Sequence, residues 1–173
     1  GSSLYAGGPA VSGYLYSWTS LPAGFSSTDA NPLVKPSATT RYRLTVSDTL
    51  SGCSNRDSVT VTVHALPAAK VGSAAKICYG SSIVLGSAAV KGSTYSWTSN
   101  PSGFTSTSPG PTVSPLVTTT YSLTETNSFG CSKTNSVKIT VNPLPATNAG
   151  KSDTICFGLS AGIGAKAVTG DTY

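Results

Sequence analysis

The chain has 173 residues, a formal net charge of +5 and only 10% charged side chains, with Ser, Thr and Gly taking much of the remainder. It holds no Met, no Gln and a single Glu, Glu125, so it lacks the strong helix formers and reads as an all-β protein with many turns. The positive charge is thinly spread, with no basic run beyond Arg41-Tyr42-Arg43, which argues against a nucleic-acid partner; no apolar run approaches the ~18 residues of a membrane span.

The elements come in two matching sets. Displacing the chain by 79 residues places Trp18 on Trp97, Phe25 on Phe104, Pro36 on Pro115 and Tyr42 on Tyr121. After one residue is dropped in a turn the displacement is 78, and Cys53 falls on Cys131, Val59 on Val137, Leu66-Pro67 on Leu144-Pro145 and Cys78 on Cys156. A period near 78 residues is the size of one small domain and too long for a helical-solenoid repeat. The expected organisation is a repeat lacking its first strand at 1–65, a complete repeat at 66–143, and the opening of a third at 144–173. Gly1 matches Gly80, and Tyr173 matches Tyr95, two residues ahead of Trp97, so a longer natural chain with further repeats on both sides is expected.

In the first repeat, Tyr16-Ser17-Trp18 is a strand. Tyr42, Leu44 and Val46 alternate inward on another, and Val59, Val61 and Val63 on the last. Leu66-Pro67 is a stiff, extended junction, because Pro fixes φ and donates no hydrogen bond. In the complete repeat, Ala74 to Tyr79 is the first strand, closed by a turn at Gly80, and Ser82 to Leu85 is the second, ending near Gly86. Thr94 to Thr98 is the third, with Tyr95 and Trp97 on one face, and Asn100-Pro101-Ser102-Gly103 turns the chain. Between Phe104 and Pro115, three prolines leave room only for short edge strands. Thr118 to Thr124 then alternates, with Tyr121 and Leu123 inward. Asn127 to Gly130 makes a hairpin turn, and Ser136 to Val141 closes the set with Val137, Ile139 and Val141 inward.

About seven short strands at regular spacing, each with one apolar face, make a two-sheet sandwich. Trp18 and Trp97 are its expected core plugs, with Tyr42 and Tyr121 where a tyrosine corner would stand. The competing reading of these rings is a sugar-stacking platform; outside the core, Tyr5, Tyr14 and Tyr16 of the first repeat are its candidates.

The pattern Cys-x-Gly-Ser-Ser-x-Val-x-Leu, Tyr-x-Trp, Pro-x-Gly-Phe, Thr-Thr-Thr-Tyr-x-Leu-Thr, Gly-Cys and Val-x-Ile-Thr-Val-Asn-Pro-Leu-Pro resembles the tandem immunoglobulin-like and PKD-like repeats of giant Bacteroidota surface proteins. These include gliding-motility adhesins exported by the type IX secretion system. The resemblance runs the length of the chain, departing where His64-Ala65 stands for Asn142-Pro143. It implies tandem β-sandwich domains in a linear array, forming a non-catalytic stalk of a secreted or cell-surface adhesin. Its partners would be neighbouring repeats, with surface polysaccharide or other copies in a filament as outside partners. A spacer or carbohydrate-binding module of a secreted hydrolase is the alternative.

The cysteines, Cys53, Cys78, Cys131 and Cys156, repeat with the domain, which suggests disulfides and an oxidising compartment; no Cys-x₂-Cys pair suggests zinc. Three states stay open: a bond between Cys78 and Cys131, free thiols, or inter-domain staples. In the last, Cys131 bonds a Cys preceding Gly1 and Cys78 one beyond Tyr173. The staple reading follows from placing Cys78 and Cys131 at opposite ends of one sandwich, about 23 Å apart, beyond disulfide reach. Asp-Ser/Thr-apolar triplets at Thr49, Ser58 and Thr154, with a looser match at Thr172, look like the O-glycosylation signal of exported Bacteroidota proteins; the plainer reading is that such triplets open strands. His64 is the only His and the acids are few and scattered, so no triad, carboxylate pair, metal cage or cofactor is expected. The glycines precede strands and turns, which argues against a phosphate loop.

Overall fold

A computed structural model describes residues 3–164. The chain divides into two compact units, Gly1–Pro67 with Ser128–Cys131, and Ala68–Asn127 with Ser132–Tyr173. In the first, the strands are β1 (Leu4–Tyr5), β2 (Tyr14–Leu21), β3 (Ser26–Ser27), β4 (Leu33–Val34), β5 (Thr40–Asp48) and β6 (Ser54–Val61). They form a sheet in the order β3-β2-β5-β6 and a two-stranded sheet β1-β4. The second repeats this with β8 (Ile83–Val84), β9 (Thr94–Asn100), β10 (Thr105–Ser106), β11 (Thr112–Val113), β12 (Thr119–Thr126) and β13 (Ser132–Asn142), and adds β7 (Ala75–Cys78). Its sheets run β10-β9-β12-β13-β7 and β11-β8. The fold is an all-β, tandem Ig-like β-sandwich.

Among the described residues every pairing is antiparallel except one. β7 lies parallel to β13, from Ile139 opposite Ala75 to Asn142 opposite Cys78. The alternation of apolar residues explains the rest. β12 places Tyr121 and Leu123 inward, and β13 answers with Val137 and Ile139, all buried. The second core gathers Leu85, Trp97, Val113, Tyr121, Leu123, Val137 and Ile139, with Val71, Ala75 and Ile77 packed against it from the β7 segment. The first core is smaller: Ala6, Trp18, Val34 and Tyr42, supported by Phe25, Leu44 and Val61.

Two expectations need correction. β13 begins at Ser132 rather than near Ser136, because pairing with β12 from Thr126–Ser132 onward draws a polar tetrad into the ladder that alternation alone does not reveal. Val59 does not point into a closed core. It is 44% exposed, whereas its counterpart Val137 is 5% exposed. Among the described residues no strand lies outside β6, so nothing covers Val59 as the β7 segment covers the second core.

Candidate functional site

The two Trp-centred cores are built by the same contacts. Trp18 Nε1 donates to the Asp29 carbonyl at 3.0 Å, and Trp97 Nε1 to the Ser108 carbonyl at 2.9 Å. This satisfies the one polar atom of an otherwise buried ring. Gly7 and Gly86, both at positive φ, press against the six-membered rings of these indoles. A methyl on either would collide with a backbone carbonyl, that of Ala30 or Pro109. Phe25 meets Tyr42 edge to face at 5.3 Å, and Phe104 meets Tyr121 at 5.4 Å. Burial pushes the Tyr121 phenol above its ordinary pKa, partly offset by a hydrogen bond to Thr119. Trp18, Trp97, Tyr42 and Tyr121 are each 1–3% exposed, so their faces are closed to a stacking ligand.

The tight turn after β2 and β9 is also duplicated. Ser20 and Ser99 donate to the carbonyls of Pro22 and Pro101 and accept the N–H groups of Phe25 and Phe104. The Leu21–Pro22 and Asn100–Pro101 peptides are cis.

One polar cluster occurs in the second unit only. Glu125 lies on the inward face of β12, two residues beyond Leu123, and is 4% exposed. Its carboxylate accepts the Ala69 N–H at 2.8 Å. Asn135, across the hairpin, donates its amide to the carbonyls of Ala68 at 3.1 Å and Ala69 at 2.9 Å. Ala69 is fully buried in the left-handed region, φ 48°, a conformation that side-chain-bearing residues hold only when surrounding contacts impose it. The cluster is a latch on the chain entering this domain. In the sequence Glu125 stands out only as the single Glu; the signal that could have marked it is its place in the inward row Tyr121-x-Leu123-x-Glu125. Its partner, a backbone amide 56 residues earlier, carries no such signal. In the first unit Val46 and Asp57 stand at these positions. Val46 accepts nothing and Asp57 cannot donate to carbonyls, so the latch has no equivalent there.

The sequence-proposed sites are dispersed. Cys78 closes β7 beside Asn142, the last residue of β13, while Cys131 precedes its first residue, Ser132. The 11-residue strand between them spans roughly 35 Å, so these two sulfurs lie far beyond bonding distance. Cys53 and Cys156 are exposed. The Thr49 hydroxyl donates to the Gly13 carbonyl at 2.9 Å, and the Ser58 hydroxyl accepts from Arg41 at 2.8 and 3.1 Å. Thr154 is exposed, and Thr172 lies outside the described residues. Tyr16 is half-buried, its hydroxyl accepting the Val11 N–H at 2.9 Å, as Tyr95 does for Val90. Tyr5 and Tyr14 are exposed but stand on different sheets. His64 stacks on Phe129, both in the first unit, with ring centroids 3.7 Å apart. Among the described residues no three His, Cys, Asp or Glu come together as a metal site would require.

An apolar cleft of about 230 Å³ opens in the first unit between β1 and the edge of β6, lined by Leu4, Ala6, Trp18, Leu44 and Val59, with Asp57 among its polar atoms. It is open where the second unit carries Val71, Ala75 and Ile77.

Residues 65–143 match the family described as Ig-like domain, CHU_C associated. No curated protein matches the chain. Among solved structures, the Bacteroides ovatus mixed-linkage glucan utilization locus protein SGBP-B, in complex with a mixed-linkage heptasaccharide, is similar at 17% identity and a TM-score of 0.26. That match covers 82% of this chain and 43% of the solved one.

Proposed function

We propose that this segment is a non-catalytic structural region of a large bacterial cell-surface adhesin or filament, in which tandem Ig-like sandwiches act as a semi-rigid stalk. The observation that carries this reading is the duplication of one scaffold. The Trp indole, its carbonyl acceptor, the edge-to-face Phe–Tyr pair and the Ser-capped turn recur with near-identical geometry. Repetition of a scaffold preserves spacing and stiffness, which a stalk needs. The family match at 65–143 agrees with an Ig-like module. Export through the type IX system, a role in gliding and attachment to a surface belong to the same proposal, and so do staples from Cys78 and Cys131 to neighbouring repeats and O-glycans at Thr49 or Thr154.

Small-angle scattering tests the stalk directly: an elongated distance distribution that persists across ionic strengths is expected, and a distribution that collapses to a flexible or globular form overturns it. Intact-mass and non-reducing peptide mapping of native material tests the staples and glycans. The alternative, a carbohydrate-binding module, draws on the exposed rings of Tyr5 and Tyr14. Titration with mixed-linkage and other soluble glucans, compared between the chain and a Tyr14→Ala variant, separates the two. Tyr14-dependent binding would favour the module.

A further inference from the structure

We infer that the second unit carries a pocket for a primary alkylammonium group, with the Glu125 carboxylate at its base and the hydroxyls of Tyr95 and Ser87 in its wall.

The pocket has a volume of about 160 Å³, and all the residues lining it belong to one unit. Its base is Glu125, which is 4% exposed. That carboxylate is only half used by the latch: the Ala69 N–H donates to Oε2 at 2.8 Å. Among the described residues no buried side-chain oxygen lacks a hydrogen-bond partner. Oε1, which takes no part in the latch, is therefore the oxygen that reaches open space, and the pocket is where Glu125 meets it. A carboxylate withdrawn from bulk water is the group that gains most from an opposite charge brought beside it.

The donor set and the walls decide which cation fits. Because Oε2 is engaged, the two-oxygen face that a guanidinium grips is not on offer. A divalent ion wants more oxygen ligands than one carboxylate oxygen and two hydroxyls supply. An ammonium has three N–H donors. It meets three side-chain acceptors here: Glu125 Oε1, Tyr95 Oη and Ser87 Oγ. Tyr95 Oη accepts the Val90 N–H at 2.7 Å, which fixes the ring and leaves a lone pair over. Ser87 Oγ donates to the Ala88 carbonyl at 3.3 Å and can still accept. Ala68, Ala88 and Val90 make the rest of the wall apolar, which suits a methylene stem. A cavity of about 150 Å³ holds benzene, so n-butylammonium, with one non-hydrogen atom fewer, has room. That is the chemistry of a lysine side chain's end or of a free aliphatic amine.

Two ammonium groups of the chain itself stand nearby. Lys70 lines the pocket, and Lys133 lies opposite Glu125 in the ladder; both are exposed. Among the described residues neither makes an ion pair with Glu125. They give the pocket a positive rim that a ligand must pass. The first unit lacks the site for a reason of sequence: Val46, Gly8 and Pro9 stand where the second has Glu125, Ser87 and Ala88. Tyr16 nevertheless repeats the bond of Tyr95, accepting the Val11 N–H, so Val11 is an internal control. The inference is independent of the stalk reading.

Amide-resolved NMR of the whole chain, titrated with n-butylammonium chloride and with sodium chloride at equal concentration, tests this. The amine is expected to shift the amides of Ala69, Val90 and Tyr95 but not Val11, saturating in roughly the millimolar range. Glu125→Gln keeps an oxygen for the Ala69 N–H and removes the charge; it should weaken binding roughly tenfold or more. Unchanged hydrogen exchange at Ala69 would show that the latch persists in that variant. Ala88→Leu, at an exposed position, fills the pocket without touching the latch and should likewise weaken binding. Lys70→Ala should tighten it about two- to threefold. n-Butylguanidinium should bind more weakly than n-butylammonium. Nα-acetyl-lysine amide bound as tightly as n-butylammonium assigns the site to a protein's lysine; its exclusion while cadaverine binds assigns it to a free amine. Shifts that only match sodium chloride overturn the inference, as does tighter binding of the guanidinium. So does binding that survives Glu125→Gln with the latch intact; if the latch is lost there, binding that survives Ala88→Leu overturns it.

Discussion

The two units share a plan and differ in how completely it is closed. Trp18 and Trp97 have the same environment to within a few per cent of exposure, yet the cores around them are unequal: Ala6 stands for Leu85, and the cover given by Val71, Ala75 and Ile77 has no counterpart among the described residues of the first unit. A sandwich of this kind can therefore seat its central Trp through sheet pairing alone. It excludes water from the layer behind that Trp only when the opening strand arrives. Completeness rests on the edge of the larger sheet, and that edge should control how strongly each substitution is felt.

The largest effect is expected at Trp97. Truncation to Ala should cost the second unit about 3–5 kcal/mol, since the ring is buried on all sides and its Nε1 would leave the Ser108 carbonyl without a donor. Trp18→Ala should cost the first unit less, because part of its surroundings is already an open cleft that water can enter. Urea unfolding followed through backbone amide signals assigned to the mutated unit reads each loss separately. Equal losses would mean that the missing cover has no energetic weight. Leu123→Ala against Leu44→Ala makes the same comparison on the facing strand. About 2–5 kcal/mol is expected at Leu123, and at most the lower end of that range at Leu44.

Next in size is the latch. Glu125→Ala leaves the Ala69 N–H buried and unpaired, which should destabilise the second unit by about 1–3 kcal/mol and speed hydrogen exchange at Ala69. Asn135→Asp, which gives the second unit the residue of the first, should act similarly by turning a donor to two carbonyls into an acceptor facing them. Val46→Ala at the corresponding place in the first unit removes no hydrogen bond and should have a smaller effect. An Ala69 amide that exchanges unchanged in Glu125→Ala would separate the left-handed turn from the carboxylate and assign it to packing alone.

Much of this was legible in advance because the responsible signals are local and repeated. Alternation at Tyr121-x-Leu123 and Val137-x-Ile139 sets the inward faces, prolines confine β10 and β11 to two residues each, and the Trp anchors fix the repeat register. Val59 escaped for a physical reason: alternation tells which face a side chain takes, and burial depends on what another segment places over that face. The latch escaped for a related one. Glu125 and Asn135 act on the backbone of residues 68–69, and backbone atoms carry no sequence signature. The candidate modification hydroxyls at Thr49 and Ser58 were legible as motifs, but their engagement with Gly13 and Arg41 depends on neighbouring strands.

The smallest difference expected is a response to acid. After β5, the N–H groups of Ser51 and Leu50 donate to the Asp48 carboxylate at 2.9 and 2.7 Å and hold its pKa below the ordinary carboxylate range. A carboxyl depressed in the folded state contributes stability above its unfolded pKa and loses it as pH falls through the lower, folded value. The second unit has Asn127 at this position, which does not titrate. Acidification below the usual range of Asp should therefore loosen the turn from Asp48 to Cys53 without a matching change at 127–131. Amide exchange or backbone chemical shifts of Leu50 and Ser51 against pH would report it. Asp48→Asn should flatten that profile while leaving the Trp18 environment intact. A transition that survives the substitution would instead separate the acid sensitivity from the Asp48 turn and its two N–H donors.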